Sequence, residues 1–248
     1  MHETENIEKG IKLNRWLVLF AVTLLLFLMP RLGDLSAEFV VPFFKGINPD
    51  QRFIWGIIHH IAQALPVLLL MLFWPGKKLK DWGFRTGDAR TGMKWVKYFT
   101  LFWLGMYVII TGLLFVFDYQ PQAYYDVSNP VNLAGELFFR LFIVGPSEET
   151  LFRAFPIILL SMAGFDKTGD IFGFEINRAG IIAAILFALT HIGFNLLPFE
   201  IYYFDPLQVF TALGMGLLYA VLFRLTKSIY YPMMIHAISD VIPVLGML

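Results

Sequence analysis

The stretch "LFFRLFIVGPSEETLFRAFPIILLSM", residues 137–162, decides how the chain is read. It is apolar over a length greater than the roughly 20 residues that cross a bilayer. It nevertheless carries Arg140, Glu148, Glu149 and Arg153. Charges at that depth are costly, so they need partners or a chemical use.

The flanking sequence sets the solvent. Of 248 residues, 58% are hydrophobic and 15% charged, with mean hydropathy +0.66. A soluble domain is nearer about half apolar and about a quarter charged. Apolar runs fall at about 16–29, 53–74, 95–117, 133–163, 179–197, 207–225 and 229–247. They predict an all-α polytopic transmembrane helical bundle of about seven spans (or eight), forming one integral membrane domain over 1–248. The runs are continuous rather than alternating, which argues against a strand barrel. The run "WLVLFAVTLLLFLM" at 16–29 is read as a retained span and not a signal peptide, because "PRLGDLSAEF" after it is a poor cleavage site. The fourth run is too long for a hydrocarbon core of about 30 Å at about 1.5 Å per residue, so it must tilt, kink or protrude.

Nineteen basic and nineteen acidic residues give zero net charge, and nothing points to nucleic acid. The absence of cysteine excludes disulfides, thiol catalysis and thiolate metal sites. Basic residues set the orientation. With the N-terminus in the cytoplasm, the inner segments hold Lys9, Lys12, Arg15, the cluster from Lys77 to Lys97, Lys167, Arg178, Arg224 and Lys227. The outer segments hold only Arg31, Lys45 and Arg52. That asymmetry predicts a multi-pass protein of the plasma (cell inner) membrane with its N-terminus inside. The basic loop 75–97 serves as a topology anchor, or binds anionic lipid or a substrate tail. The outer segments 118–130 and 199–206 carry tyrosines suited to the interface.

Helical spacing sorts the buried charges. Glu136 and Arg140 are i,i+4, as are Glu149 and Arg153, each with the carboxylate on the N-terminal side. Both pairs have a structural account. Glu148 has Phe152 four residues after it and Val144 four before, so it lacks a local cation. A carboxylate so placed is a candidate general base. Pro146 tends to kink the helix just ahead of it. His191, His236 and Asp240 lie at similar depth on other helices, and His236 and Asp240 share a face. Convergence of Glu, His, His and Asp would supply a base for water and groups for an oxyanion. Taken singly, each histidine is as well explained by helix packing. His59 and His60 are read as packing or interface residues, and Asn195 as a support for His191 or a helix contact.

Three segments then form a pattern: "EETLFR" (148–153), "FALTH" (187–191) and "HAISD" (236–240). In this order they resemble the Glu-Glu-x-x-x-Arg, Phe-x-x-x-His and His-x-x-x-Asn/Asp motifs of the CPBP family of intramembrane proteases, also called Abi or type II CAAX-protease-like proteins. The resemblance covers roughly 130–245, which makes 131–248 the motif-bearing core and 1–130 a set of family-variable helices. It implies peptide-bond hydrolysis within the membrane on a membrane-associated or lipidated peptide. By the resemblance, Glu148 activates water, His191 orients it, His236 and Asp240 line the oxyanion side, and Glu149 with Arg153 support the glutamate helix. Asp240 departs from the Asn of the CAAX-processing members. An ionised Asp donates no hydrogen bond, so orienting His236 is its expected role.

No His-Glu-x-x-His is present. The reading favours no cofactor. The alternative is zinc held by Glu148, His191 and His236, a known donor set. Two other functions stay open on the residues alone. One is a non-catalytic scaffold or bacteriocin self-immunity factor; the other is a small transporter using Glu148, His191 and Asp240 as a proton relay.

Overall fold

The computed structural model describes residues 14–47, 52–118, 126, 128–171, 173–196 and 198–245. Its helices are α1 (Arg15–Val40), α2 (Arg52–Leu72), α3 (Ala89–Val116), α4 (Pro130–Phe139), α5 (Gly145–Glu149), α6 (Phe155–Leu160), α7 (Arg178–Leu189), α8 (Pro206–Thr226) and α9 (Tyr230–Leu245). The helix starts follow local chemistry. Asn14, Asp88, Asn129, Asn177 and Asp205 each accept a backbone N–H of the first turn, at α1, α3, α4, α7 and α8 respectively. At Asp88 the backbone N–H and hydroxyl of Thr91 both donate to the carboxyl, holding it below the usual carboxylate range. Pro130 and Pro206 sit in first turns, where a missing N–H costs nothing.

Each of the seven expected apolar runs contains a helix. Among the described residues, four helices are each long and apolar enough to cross a membrane: Arg15–Phe44 (α1 and the short 3₁₀ turn after it), α2, α3 and α8. The expected long fourth run, 133–163, is a broken rod. α4, α5 and α6 are joined by π turns at Arg140–Val144 and Thr150–Ala154, and a third π turn follows at Ser161–Phe165. Pro146 and Pro156 each fall in the first turn of the α segment after a π turn. The rod thus absorbs both prolines by widening locally.

The fifth run ends earlier than the expected 179–197. α7 stops at Leu189, and residues 193–203 form a hairpin of β3 (Gly193–Leu196) and β4 (Phe199–Tyr203). Phe194 pairs with Ile201 and Asn195 with Glu200, with a bulge beside Gly193. Gly193 and Pro198 break the helical pattern, and "FEIYY" favours a strand. A second hairpin, β1 (Thr168–Ile171) with β2 (Phe174–Asn177), precedes α7. The fold is therefore helical with two small hairpins that the all-α expectation lacked. Lys9, Lys12, most of the outer segment 118–130 and the last residues of the 229–247 run lie outside the described residues.

Packing centres on the broken rod. α1 pairs with α2, α7 with α8 and α3 with α9, while α5 and its flanking π turns touch α2, α7 and α9. Leu151, Phe152, Phe155 and Leu160 of the rod join Val22 and Leu26 of α1, Met71 of α2 and Ala183 of α7 in the main core. At the α5–α9 crossing, a Cβ on Gly145 would stand 2.8 Å from the Met233 carbonyl oxygen. Only glycine lets the two backbones approach this closely. The outer face of α3 leaves Leu101, Phe102, Val108 and Ile109 exposed, as a lipid-facing helix would.

Candidate active site

Glu148, at the centre of the rod, lies among histidines from other helices. Its Oε2 is 3.7 Å from His236 Nε2 on α9, and its Oε1 is 4.0 Å from His60 Nε2 on α2. Two cavities, of about 310 and 570 Å³, are both lined by Glu148 and His191. His236 and Asp240 line the larger one. The four residues singled out from sequence are thus brought to one place, with a surface that reaches open space.

His191 arrives by an unexpected route. It lies in the turn just beyond α7 rather than mid-helix. Its Nδ1 is 2.9 Å from the Phe187 carbonyl oxygen, and its ring meets Phe187 edge-on. A carbonyl only accepts, so Nδ1 carries hydrogen and the neutral ring has its Nε2 lone pair free. Asn195 does not support it. That residue is exposed in β3, paired with Glu200.

His236 is fixed by Glu149. Nδ1 donates to Glu149 Oε1 at 2.8 Å, and Tyr219 stacks on the ring at 5.3 Å. Asp240 was expected to orient this ring. Its Oδ2 stands 3.9 Å from Nε2, and the short bond that fixes the ring is the 2.8 Å one from Nδ1 to Glu149. Asp240, one turn along α9, faces the cavity.

Glu149 also meets Arg153 Nη1 at 3.2 Å, the pair being 0% and 1% exposed. The guanidinium lies 3.9 Å from the Phe187 ring centroid and 5.1 Å from that of Tyr219. A buried arginine between two aromatic faces gains cation–π attraction where water cannot reach it. This assembly, Arg153 to Glu149 to His236, explains why two of the rod's charges are fully enclosed while Glu148 faces a cavity. The Glu136–Arg140 pair forms as expected at 3.2 Å, and Arg52 of α2 adds a second cation 3.6 Å from Glu136.

The donor types of Glu148, His191 and His236 suit zinc, and a carboxylate behind His236 Nδ1 is the support a metal-bound histidine usually has. Among the described residues no three His, Asp or Glu groups converge closely enough to hold an ion.

The comparisons with known proteins bear on this same segment. The family model of the type II CAAX prenyl endopeptidases, Rce1-like, matches residues 130–242. That segment, a little under half of the chain, is similar to the family's domain. No curated protein and no solved structure matches the chain. The similarity to a peptidase family and the long apolar helices fit an integral membrane protein. The domain spans every motif residue from Glu148 to Asp240, but it excludes α1, α2 and α3.

One contributor to the site was misjudged from sequence. His60 was expected to pack or to sit at an interface; it instead faces Glu148. Gln63 was not singled out at all, yet its amide contacts both His60 and Ser147, the residue before Glu148. The available signal was weak: a polar residue three positions after a histidine, in an otherwise apolar helix. His59 turns away, its Nδ1 3.0 Å from Asp34 of α1.

Proposed function

We propose that this chain is an intramembrane endopeptidase that hydrolyses a peptide bond of a membrane-associated or lipidated substrate with water activated by Glu148. The observation that carries the reading is the setting of that carboxylate. It has no cation four residues away on either side, two imidazoles within 4.0 Å, and two cavities that it shares with His191.

Glu148 accepts a proton from water while the neutral His191 Nε2 accepts the other water hydrogen, leaving an oxygen lone pair for attack. The water oxygen bonds to the peptide carbonyl carbon, and the carbonyl oxygen becomes an oxyanion. His236, its Nδ1–H committed to Glu149, donates from Nε2 when in its imidazolium form. Glu148 then returns its proton to the leaving nitrogen as the C–N bond breaks, giving a carboxyl and an amine. The two cavities meeting at Glu148 offer room for the chain on each side of the scissile bond. No metal enters this scheme. The basic loop around Lys77–Lys97 faces the cytoplasm, with the chain in the plasma membrane, N-terminus inside and about seven spans.

The test is turnover of a membrane-peptide library by the purified full chain. Glu148→Gln is expected to lower kcat at least about 100-fold while the protein keeps its thermal unfolding profile. Unchanged turnover would remove the mechanism. Chelation followed by metal analysis forms the second arm: activity should survive, and stoichiometric zinc whose removal abolishes activity would replace the water-only scheme.

A further inference from the structure

We propose that His60, from outside the matched domain, is a positioning residue that holds Glu148 through an Nε2–H donor whose tautomer is set by Gln63. The inference rests on the function proposed above.

The hydrogen-bond directions around His60 are determined by counting hydrogens. Ser147 Oγ has one hydrogen, donated to the His60 carbonyl oxygen at 2.7 Å. Toward Gln63 it is therefore an acceptor, so the group facing it at 3.3 Å is the Gln63 amide nitrogen. The same nitrogen lies 3.0 Å from His60 Nδ1. An amide nitrogen only donates, so Nδ1 is the accepting atom and the neutral ring carries its hydrogen on Nε2. That is the atom 4.0 Å from Glu148 Oε1. The separation is about an ångström beyond an ordinary hydrogen bond, and such bonds tighten in the reacting complex.

The tautomer is opposite to those of His191 and His236, which both commit Nδ1–H to an oxygen. With all three rings neutral, His60 alone would present an N–H to Glu148; the imidazolium form of His236 adds a second one at Oε2. The carboxylate is flanked by an imidazole at each oxygen, Oε1 by His60 and Oε2 by His236. Ser147 ties the two backbones together, since it precedes Glu148 in the rod and bonds the His60 carbonyl of α2. The ring is also held edge-on by Phe139 at 5.2 Å. Gln63 is 2% exposed, so water does not compete for its amide. The Gln63 amide satisfies Nδ1, as a buried ring nitrogen requires, and leaves the Nε2–H on the side of Glu148.

The experiment uses the purified full chain in detergent, with histidine labelled at both ring nitrogens. In the ¹⁵N spectrum, His60 (identified by its loss in His60→Gln) is expected to show a protonated Nε2 and a bare Nδ1, and Glu148→Gln is expected to shift the Nε2 signal. His60→Phe should lower kcat about 10-fold to 100-fold, with KM unchanged and thermal stability retained. His60→Gln, whose amide places a donor near the Nε2 position, should recover part of that loss. Gln63→Met should lower kcat less and give His60 mixed tautomers. A protonated Nδ1, an Nε2 signal indifferent to Glu148→Gln, or wild-type kcat in His60→Phe would each overturn the proposal. Should Glu148→Gln itself leave turnover unchanged, the endopeptidase reading falls, and the ring spectrum alone still decides whether His60 pairs with Glu148.

Discussion

Neighbouring glutamates in the rod meet opposite surroundings. Glu149 is enclosed between Arg153 and His236, whereas Glu148 borders two cavities. Enclosure makes Glu149 a structural liability if its charge is removed. Glu149→Leu leaves Arg153 buried without its counter-charge, and breaking such a pair costs about 3–5 kcal/mol. The double variant Glu149→Leu/Arg153→Leu should recover much of that stability, because both charges leave together. Activity should stay lost in both, since His236 no longer has an acceptor at Nδ1. Denaturant or thermal unfolding in detergent, read beside turnover, checks this. A double variant no more stable than the single one would show that the two charges do not compensate one another.

The working geometry belongs to the crossing of elements as much as to side chains. The Glu148–His236 separation depends on how closely α5 approaches α9, and Gly145 sets that approach against the Met233 carbonyl. Gly145→Ala adds one methyl at a backbone contact that cannot yield by side-chain rotation. Helix propensity alone would favour alanine by about 1 kcal/mol. The expected outcome is a loss of kcat of about 10-fold or more from a displaced α9. A paired measurement of thermal stability and turnover decides the matter. Wild-type turnover in Gly145→Ala would mean that the crossing tolerates the shift. The π turns on either side of α5 act at the same scale. They accommodate Pro146 and Pro156 without ending the rod, so Glu148 stays on a helical support.

Across the whole molecule, the outward face of α3, rich in exposed Leu, Phe, Val and Ile, fits a hydrocarbon solvent. The basic residues fit a cytoplasmic N-terminus. The chain has no cysteine, so a single introduced thiol reports its own side of the membrane. Arg90→Cys should react with a membrane-impermeant maleimide only after cells are permeabilised. Glu200→Cys, in β4, should react in intact cells. The reverse pattern would invert the proposed orientation.

The sequence by itself determined the helical membrane class, the i,i+4 pairs Glu136–Arg140 and Glu149–Arg153, and the candidacy of Glu148, His191, His236 and Asp240. These follow from composition, from helical periodicity, and from motifs that are local along the chain. It left two hairpins unread, because short strands in apolar surroundings carry little periodic signal. Only the tertiary structure decided that α7 ends before His191, that Glu149 makes the short bond to His236, and that His60 of α2 faces Glu148 with Gln63 bonded behind it. Those outcomes depend on which helix faces cross, and a hydrogen bond between residues 87 positions apart leaves no mark on the spacing of either.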